Sequence, residues 1–221
     1  MKNRWKILDK RISKFFMALA VTMCLMQPLQ ASAATPEELD ELEFKEMINA
    51  VDLGNTADLI RKFQDEEAKK RLREPYTVKY KDCNLENYRN KEILLITIPA
   101  RLLFAPNESN LNKKAGEILS PIKRYFKNPD TYRVLLVMHT DNTGSPEYRD
   151  LITENRVNAI ADWFDNQGLD TSYLFTYAMG DDMPLKDNDS QANRDANRRL
   201  EIYLVPGEKM VEQAKKGKIE F

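Results

Sequence analysis

The sequence VLLVMHTDNTGS, residues 134–145, joins an apolar run to a polar end. Val134–Met138 presents no polar side chain to either face of a strand, which predicts a place in the centre of a sheet covered by helices on both sides. His139–Asp141 ends this strand, and a turn at 142–145 follows it. Ligands of open α/β sheets bind beyond the carboxyl ends of the strands. The stretch therefore predicts an α/β fold and a site at this end of the sheet.

The segments around this stretch alternate between strand and helix patterns. Strands are predicted at residues 77–81, 93–98, 134–138, 174–179 and 200–204, and helices at 111–122 and 147–168. From residue 93 onward the order is β-α-β-α-β-β, which predicts a two-layer α/β fold with a mixed sheet, preceded by a helical arm. In the last strand Glu201 and Tyr203 alternate with apolar residues, so we expect one face of that strand to be solvated.

Residues 1–33 have the residue order of a secretory signal. Six basic residues and one acidic residue lie within residues 1–14, an apolar run extends from Phe15 to Met26, and Ala31-Ser32-Ala33 supplies small residues for a signal peptidase. The apolar run of about 12 residues is shorter than the roughly 20 that span a membrane. We therefore expect cleavage after Ala33 and a periplasmic protein; an uncleaved anchor is the alternative. Loss of these six bases and one acid changes the net charge from −1 to −6.

Residues 34–75 are predicted to form a helical arm or linker. Thr35 followed by Pro36 is typical of a helix start. An apolar stripe follows at the spacing of one helix face, formed by Phe44, Met47, Ile48 and Val51. This stripe could dock another outer-membrane or envelope protein, or it could pack on the neighbouring domain.

Residues 76–207 are predicted to form the main domain, and residues 208–221 a frayed basic tail. Cys83 is the single cysteine that remains after removal of the signal, and we expect a small buried or loop residue there, not a nucleophile. The near-zero net charge disfavours nucleic acid as a partner.

Arg156 is out of place on its helix. In the helix predicted at 147–168, Ile152, Ile160 and Trp163 belong to one apolar stripe, and Arg156 falls in the middle of it. A buried arginine without a partner is unfavourable by several kcal/mol, so it requires a carboxylate or an anionic ligand. Asp141 would face it across the crevice at the end of the central strand. Either an ordinary buried ion pair or a ligand site accounts for this arrangement.

Residues 92–206 resemble the OmpA-like C-terminal domain, a family of non-enzymatic peptidoglycan-binding proteins. The matching motifs are His139–Gly144, Tyr148, Thr153–Arg156, Gly180, Pro184 and Asn197–Ile202. The resemblance implies that Asp141 and Arg156 grip the diaminopimelate residue of the peptidoglycan stem peptide. It further implies that Thr140 and Asn107 contribute hydrogen bonds, and that Arg198 closes the pocket from the last strand. A guanidinium suits the free carboxylate of this ligand, and an aspartate suits its ammonium.

Three positions depart from the family's pattern. Met138 stands where glycine is usual, Ala105 where aspartate or asparagine is frequent, and Arg149 where asparagine is usual. Arg149 adds a positive charge at the pocket's edge, which would favour a ligand with an extra carboxylate. Alternatively, Arg149 extends into water, as helix-start arginines commonly do.

Enzymatic activity is not expected from this sequence. His139 is the only histidine, so a site with several histidines for a metal is impossible within one chain. Ser145 near His139 and Asp141 looks like a catalytic triad, but no nucleophile motif surrounds it. The resemblance implies non-covalent peptidoglycan binding that tethers or organises the cell envelope, and we expect neither a cofactor nor a metal. The alternative is an envelope scaffold that acts through the helical arm, with peptidoglycan binding weakened or altered.

Overall fold

The apolar stretch at 134–139 forms a strand inside a five-stranded sheet, as its sequence predicts. The computed structural model describes residues 36–49 and 52–221, so the predicted signal peptide lies outside the described residues. The strands are β1 (Asn84–Tyr88), β2 (Ile93–Pro99), β3 (Tyr132–His139), β4 (Leu174–Ala178) and β5 (Arg199–Pro206). Their order is β1-β2-β5-β3-β4, with β3 and β4 parallel and all other neighbours antiparallel. The predicted α/β fold with a mixed sheet is confirmed.

Six α-helices and several shorter helical segments surround this sheet in the described part of the chain. The α-helices are α1 (Pro36–Asn49), α2 (Ala57–Glu67), α3 (Ala115–Leu119), α4 (Pro146–Asp165), α5 (Gln191–Asn197) and α6 (Glu208–Lys215). Ala68–Leu72 and Glu74–Lys79 are π-helical, and the 3₁₀ segments are Gly54–Thr56, Ala100–Leu102, Ser120–Phe126 and Thr171–Tyr173. No helix among the described residues is long and apolar enough to cross a membrane.

The expectation of a half-solvated last strand is wrong. Every residue of β5 is buried, because β5 lies in the centre of the sheet and side chains such as Phe44 of α1, which contacts Tyr203, pack against it. The ring of Phe44 on α1 makes edge contacts with Tyr203 and Tyr177, with centroids 5.2 and 5.4 Å apart. The polar side chain of Glu201 is therefore enclosed, with only 6% of the residue exposed.

The contact of α1 with the sheet can be tested by replacing Phe44 with leucine. The change keeps an apolar side chain but removes two edge-to-face ring pairs, each worth about 0.5–1.5 kcal/mol. We expect the free energy of unfolding to fall by about 1–3 kcal/mol in urea titrations. Leu42→Ala on the same helix is the control, because Leu42 is 55% exposed. If both variants unfold at the wild-type urea concentration, Phe44 does not hold α1 on the sheet.

Residues 77–81 do not form the predicted strand. The helical run that begins at Ala57 continues to Lys79, and the first strand is Asn84–Tyr88. Tyr76 explains the difference, because its side chain is completely buried and its hydroxyl donates a hydrogen bond to the carbonyl of Ile118 at 2.7 Å. The alternation of Thr77 and its neighbours reflects the exposed side of this helix.

The predicted arm packs against the sheet. Gln64 on α2 is fully buried, and its amide donates to the Glu92 carbonyl at 2.9 Å and accepts from the Tyr132 hydroxyl at 2.7 Å. Thr35–Phe221 is one compact unit. Of the two placements left open for the apolar stripe, the structure shows packing on the domain, with Phe44 and Ile48 buried.

The segment after β5 is not a frayed tail. Met210 and Ala214 on α6 are buried, and Phe221 stacks on Tyr125 with the ring centroids 5.5 Å apart. Apolar side chains on one face of α6 explain this order, which the basic residues of the segment obscure. Cys83 is a buried free cysteine, as expected, and burial raises its pKa to about 11.

Candidate ligand-binding site

Asp141 lies at the carboxyl end of β3, held by donors on both oxygens. Its Oδ1 accepts hydrogen bonds from the backbone amide of Thr143, at 2.8 Å, and from the Thr143 hydroxyl. Its Oδ2 accepts from Nη1 of Arg198. Burial works to raise the pKa of Asp141, but the bonds from Thr143 and Arg198 outweigh it and hold the pKa below its usual value. The carboxylate is therefore ionised, although the residue is only 1% exposed.

Arg156 is a buried cation without a carboxylate partner among the described residues. Its Nε donates to the Glu108 carbonyl at 2.9 Å, Nη2 lies 3.5 Å from the Ala105 carbonyl, and the guanidinium stacks 5.0 Å from the Phe104 ring centroid. Burial lowers the pKa of Arg156, because carbonyls and a ring compensate only part of the lost hydration.

The buried ion pair weighed for Asp141 and Arg156 is not present, since Asp141 pairs with Arg198. Arg198 follows α5 directly and precedes β5, and its carbonyl accepts from the amide of Ala100 at 2.9 Å. The sequence prediction that Arg198 belongs to this end of the sheet agrees with its position. Asp141 therefore does not balance the charge of Arg156.

The loop that carries Asn107 forms another part of the site. A bridge between Phe104 and Leu111 closes the loop at its base. Asn107 adopts a left-handed backbone conformation, and its side-chain carbonyl accepts from the Tyr148 hydroxyl at 3.2 Å. Tyr148 lies against Gly144, where an added Cβ would stand 2.8 Å from the ring. Tyr148 thus connects the Asn107 loop to the Asp141 loop.

Arg149 folds back onto the protein. Its Nε lies 2.6 Å from Oδ1 of Asp181, and Nη1 donates to the Gly144 carbonyl at 2.8 Å. Its side chain is only 18% exposed, so it neither extends into water nor carries an unbalanced charge. The structure gives no support to an added charge that favours a ligand with an extra carboxylate.

Thr140 ties the end of β3 to the loop after β4. Its backbone amide donates to the Gly180 carbonyl at 2.7 Å, and the Gly180 amide donates to the Thr153 hydroxyl at 3.3 Å. Thr140 is buried directly beside Asp141. A hydrogen bond from Thr140 to a ligand stays a prediction.

Ser145, His139 and Asp141 do not form a catalytic triad. Ser145 caps α4, with its hydroxyl accepting from the amide of Tyr148 at 3.3 Å. His139 instead faces Glu201, with Nε2 3.4 Å from Oε2. The described residues contain no group of His, Cys, Asp or Glu side chains arranged to hold a metal ion.

Two further carboxylates lie at the site, and the sequence did not predict either of them. Asp195 pairs with Arg198, and Asp181 pairs with Arg149. The spacing of Asp195 and Arg198 by three residues at a helix end is a signal that could have shown the first pair. The pair of Asp181 and Arg149 joins the loop after β4 to α4, and no local sequence pattern predicts it.

Comparisons with known proteins agree with this fold. The OmpA family model matches residues 103–198. The outer-membrane lipoprotein YfiB of Pseudomonas aeruginosa is 32% identical over 49% of this chain and 64% of its own length. The peptidoglycan-associated lipoprotein of Legionella pneumophila is 28% identical over 45% of this chain and 57% of its own length. The chain thus spans less than two thirds of these relatives.

A solved structure extends the agreement to the fold. The crystal structure of a MotB-like protein from Desulfovibrio vulgaris superposes with a TM-score of 0.52 at 20% identity, covering 73% of this chain and 98% of that one. This likeness shows a shared fold. The family match carries the conclusion: the chain contains a domain of the OmpA family at residues 103–198.

Proposed function

We propose that this protein binds peptidoglycan non-covalently in the cell envelope and performs no reaction on it. The observation that carries the proposal is Arg156, a buried guanidinium whose protein partners are two carbonyls and a ring. A ligand carboxylate would provide the missing counter-charge and an energetic reason to keep a cation there. The name of the Legionella relative also points to peptidoglycan.

The finer proposal is that the ligand is the free end of diaminopimelate, which carries an ammonium beside a carboxylate. Arg156 would hold the carboxylate, and Asp141, which is ionised and buried, would accept from the ammonium. Thr140 and Asn107 would add hydrogen bonds at the rim. Arg149 would act indirectly, because its own charge is paired with Asp181.

The scaffold alternative loses its proposed docking face, since Phe44 and Ile48 are buried under the sheet. Contact with another envelope protein would therefore involve other parts of the surface. We place the function in the domain's own pocket.

The test is co-sedimentation of the purified protein with two kinds of sacculi. One carries diaminopimelate in the stem peptide, and the other carries lysine, which lacks the second carboxylate. We expect recovery with the first kind, competed by free diaminopimelate but not by free lysine, and little recovery with the second. Equal recovery with both would refute the diaminopimelate proposal, and no recovery with either would refute peptidoglycan binding.

A further inference from the structure

Arg198 is shared between two carboxylates of different exposure. Nη1 contacts Oδ2 of Asp141, and Nη2 contacts Oδ1 of Asp195. The side chain of Asp141 is 2% exposed, whereas that of Asp195 is 47% exposed. Arg198 itself is 29% exposed, so it lies at the boundary between the buried carboxylate and water.

This arrangement determines how a ligand that carries an ammonium group can approach Asp141. Oδ1 of Asp141 is already occupied by the amide and hydroxyl of Thr143. A ligand ammonium must therefore approach Oδ2, where Arg198 now donates. For the ammonium to bind, Arg198 has to yield at least part of this contact, and Asp195 offers it a second carboxylate on the solvent side.

The charges of the site also balance only when Asp195 is included. Arg156 and Arg198 contribute two positive charges, and Asp141 and Asp195 contribute two negative charges. A balanced pocket suits a zwitterionic end. Without Asp195 the pocket would carry an excess positive charge, which favours plain carboxylates.

We propose that Asp195 determines specificity, by drawing Arg198 away from Asp141 so that the pocket accepts a carboxylate with an adjacent ammonium in preference to a carboxylate alone. The inference rests on the proposed function and names the chemical selectivity of the same site. Asp195 acts through Arg198 and is a positioning residue, not a ligand contact.

The experiment compares Asp195→Asn with Asp189→Asn in the full protein. Asp189 is the matched control, because it is an exposed aspartate just before α5 whose carboxylate accepts from the Asn193 side chain at 2.7 Å. Two probes are titrated by calorimetry: a stem tripeptide ending in diaminopimelate, and the same peptide without the amine at its free end. Thermal unfolding of each variant checks the fold.

We expect Asp195→Asn to weaken the amine-bearing peptide by about fivefold, the size of one partly exposed ion pair. The same variant should bind the peptide without the amine as well as, or better than, the wild type, and Asp189→Asn should change neither affinity. If Asp195→Asn behaves like Asp189→Asn, or weakens both peptides equally, the inference is wrong while the proposed function stands. If the wild-type protein binds neither peptide, the proposed function itself fails.

Discussion

Replacing Arg156 with methionine should strongly weaken sacculus binding while leaving the fold about as stable as before. The side chain contributes a cation that has lost its hydration without gaining a carboxylate, so its removal relieves a desolvation cost. The bonds to the Glu108 and Ala105 carbonyls are lost in exchange. We expect the free energy of unfolding to stay within about 1 kcal/mol of the wild type.

The loss of binding should be large, because a charged hydrogen bond contributes about 1.5–3 kcal/mol, or roughly 10- to 100-fold in affinity. Arg156→Lys should not restore it, since an ammonium cannot bind a carboxylate through two parallel bonds. Co-sedimentation and urea unfolding on the same samples measure the two effects.

Asp141→Ala provides the contrast. Here the donors of Thr143 and Arg198 lose their acceptor inside the protein, so we expect a loss of about 1–3 kcal/mol in stability together with the loss of binding. Wild-type affinity in Arg156→Met would rule out the assigned pocket. Unfolding of Arg156→Met would mean that the arginine serves the fold, not a ligand.

Acidification should destabilise the protein through a buried charged network on β3 and β5. Arg199, Glu201 and His139 are all buried, with Arg199 Nε donating to Glu201 Oε1 at 2.7 Å and the Tyr203 hydroxyl donating to Oε2 at 2.7 Å. Burial opposes the charge on Glu201, but its contacts with His139 and Arg199 outweigh burial and lower the pKa to about 2. Burial lowers the pKa of His139 as well.

The lowered pKa values of Glu201 and His139 both make the folded state less stable as the pH falls. A carboxyl whose pKa is lower in the folded state stabilises the fold above its ordinary pKa of 4.5, and this stabilisation is lost as pH falls from 4.5 towards 2. For Glu201 the loss amounts to about 3 kcal/mol. The unfolded chain protonates His139 below its ordinary pKa of 6.5 more readily than the folded chain does, so destabilisation begins there.

The variant Glu201→Gln tests how much the ionised carboxyl of Glu201 contributes to stability. It leaves Arg199 buried without a counter-ion, so we expect a loss of about 3–5 kcal/mol at pH 7. We also expect a flatter dependence of stability on pH below 4.5. Urea unfolding between pH 7 and pH 3 measures both, with Glu86→Gln on the exposed edge strand β1 as control. A Glu201→Gln profile parallel to the wild type would show that other carboxyls cause the acid sensitivity.

What the sequence could predict depends on how local each signal is. The apolar run of β3 and the polar residues after it lie within twelve positions, and they correctly placed the strand in the sheet and a charged cluster at its end. The position of Arg156 on an apolar helix face likewise needed only the helical period, and its burial follows.

The misses involve partners that are far apart along the chain. The pair between Asp141 and Arg198 joins residues 57 positions apart, and no local pattern selects Arg198 over Arg156. The burial of β5 depends on α1, which comes from the other end of the described chain. Thr77 to Lys81 shows that a short alternating segment fits a helix surface as well as a strand.

The position of β5 has a consequence for how the protein matures. β2 and β3 do not pair with each other; each pairs with β5, the last strand along the chain. Until residues 199–206 insert between them, the sheet consists of two separate pieces with exposed edges, and the long sequence separation makes this insertion slow relative to local helix formation. Arg198 directly precedes β5, so it reaches its position together with that strand. A chain whose residues 199–206 have not yet joined the sheet therefore has neither a continuous sheet nor the pair between Asp141 and Arg198.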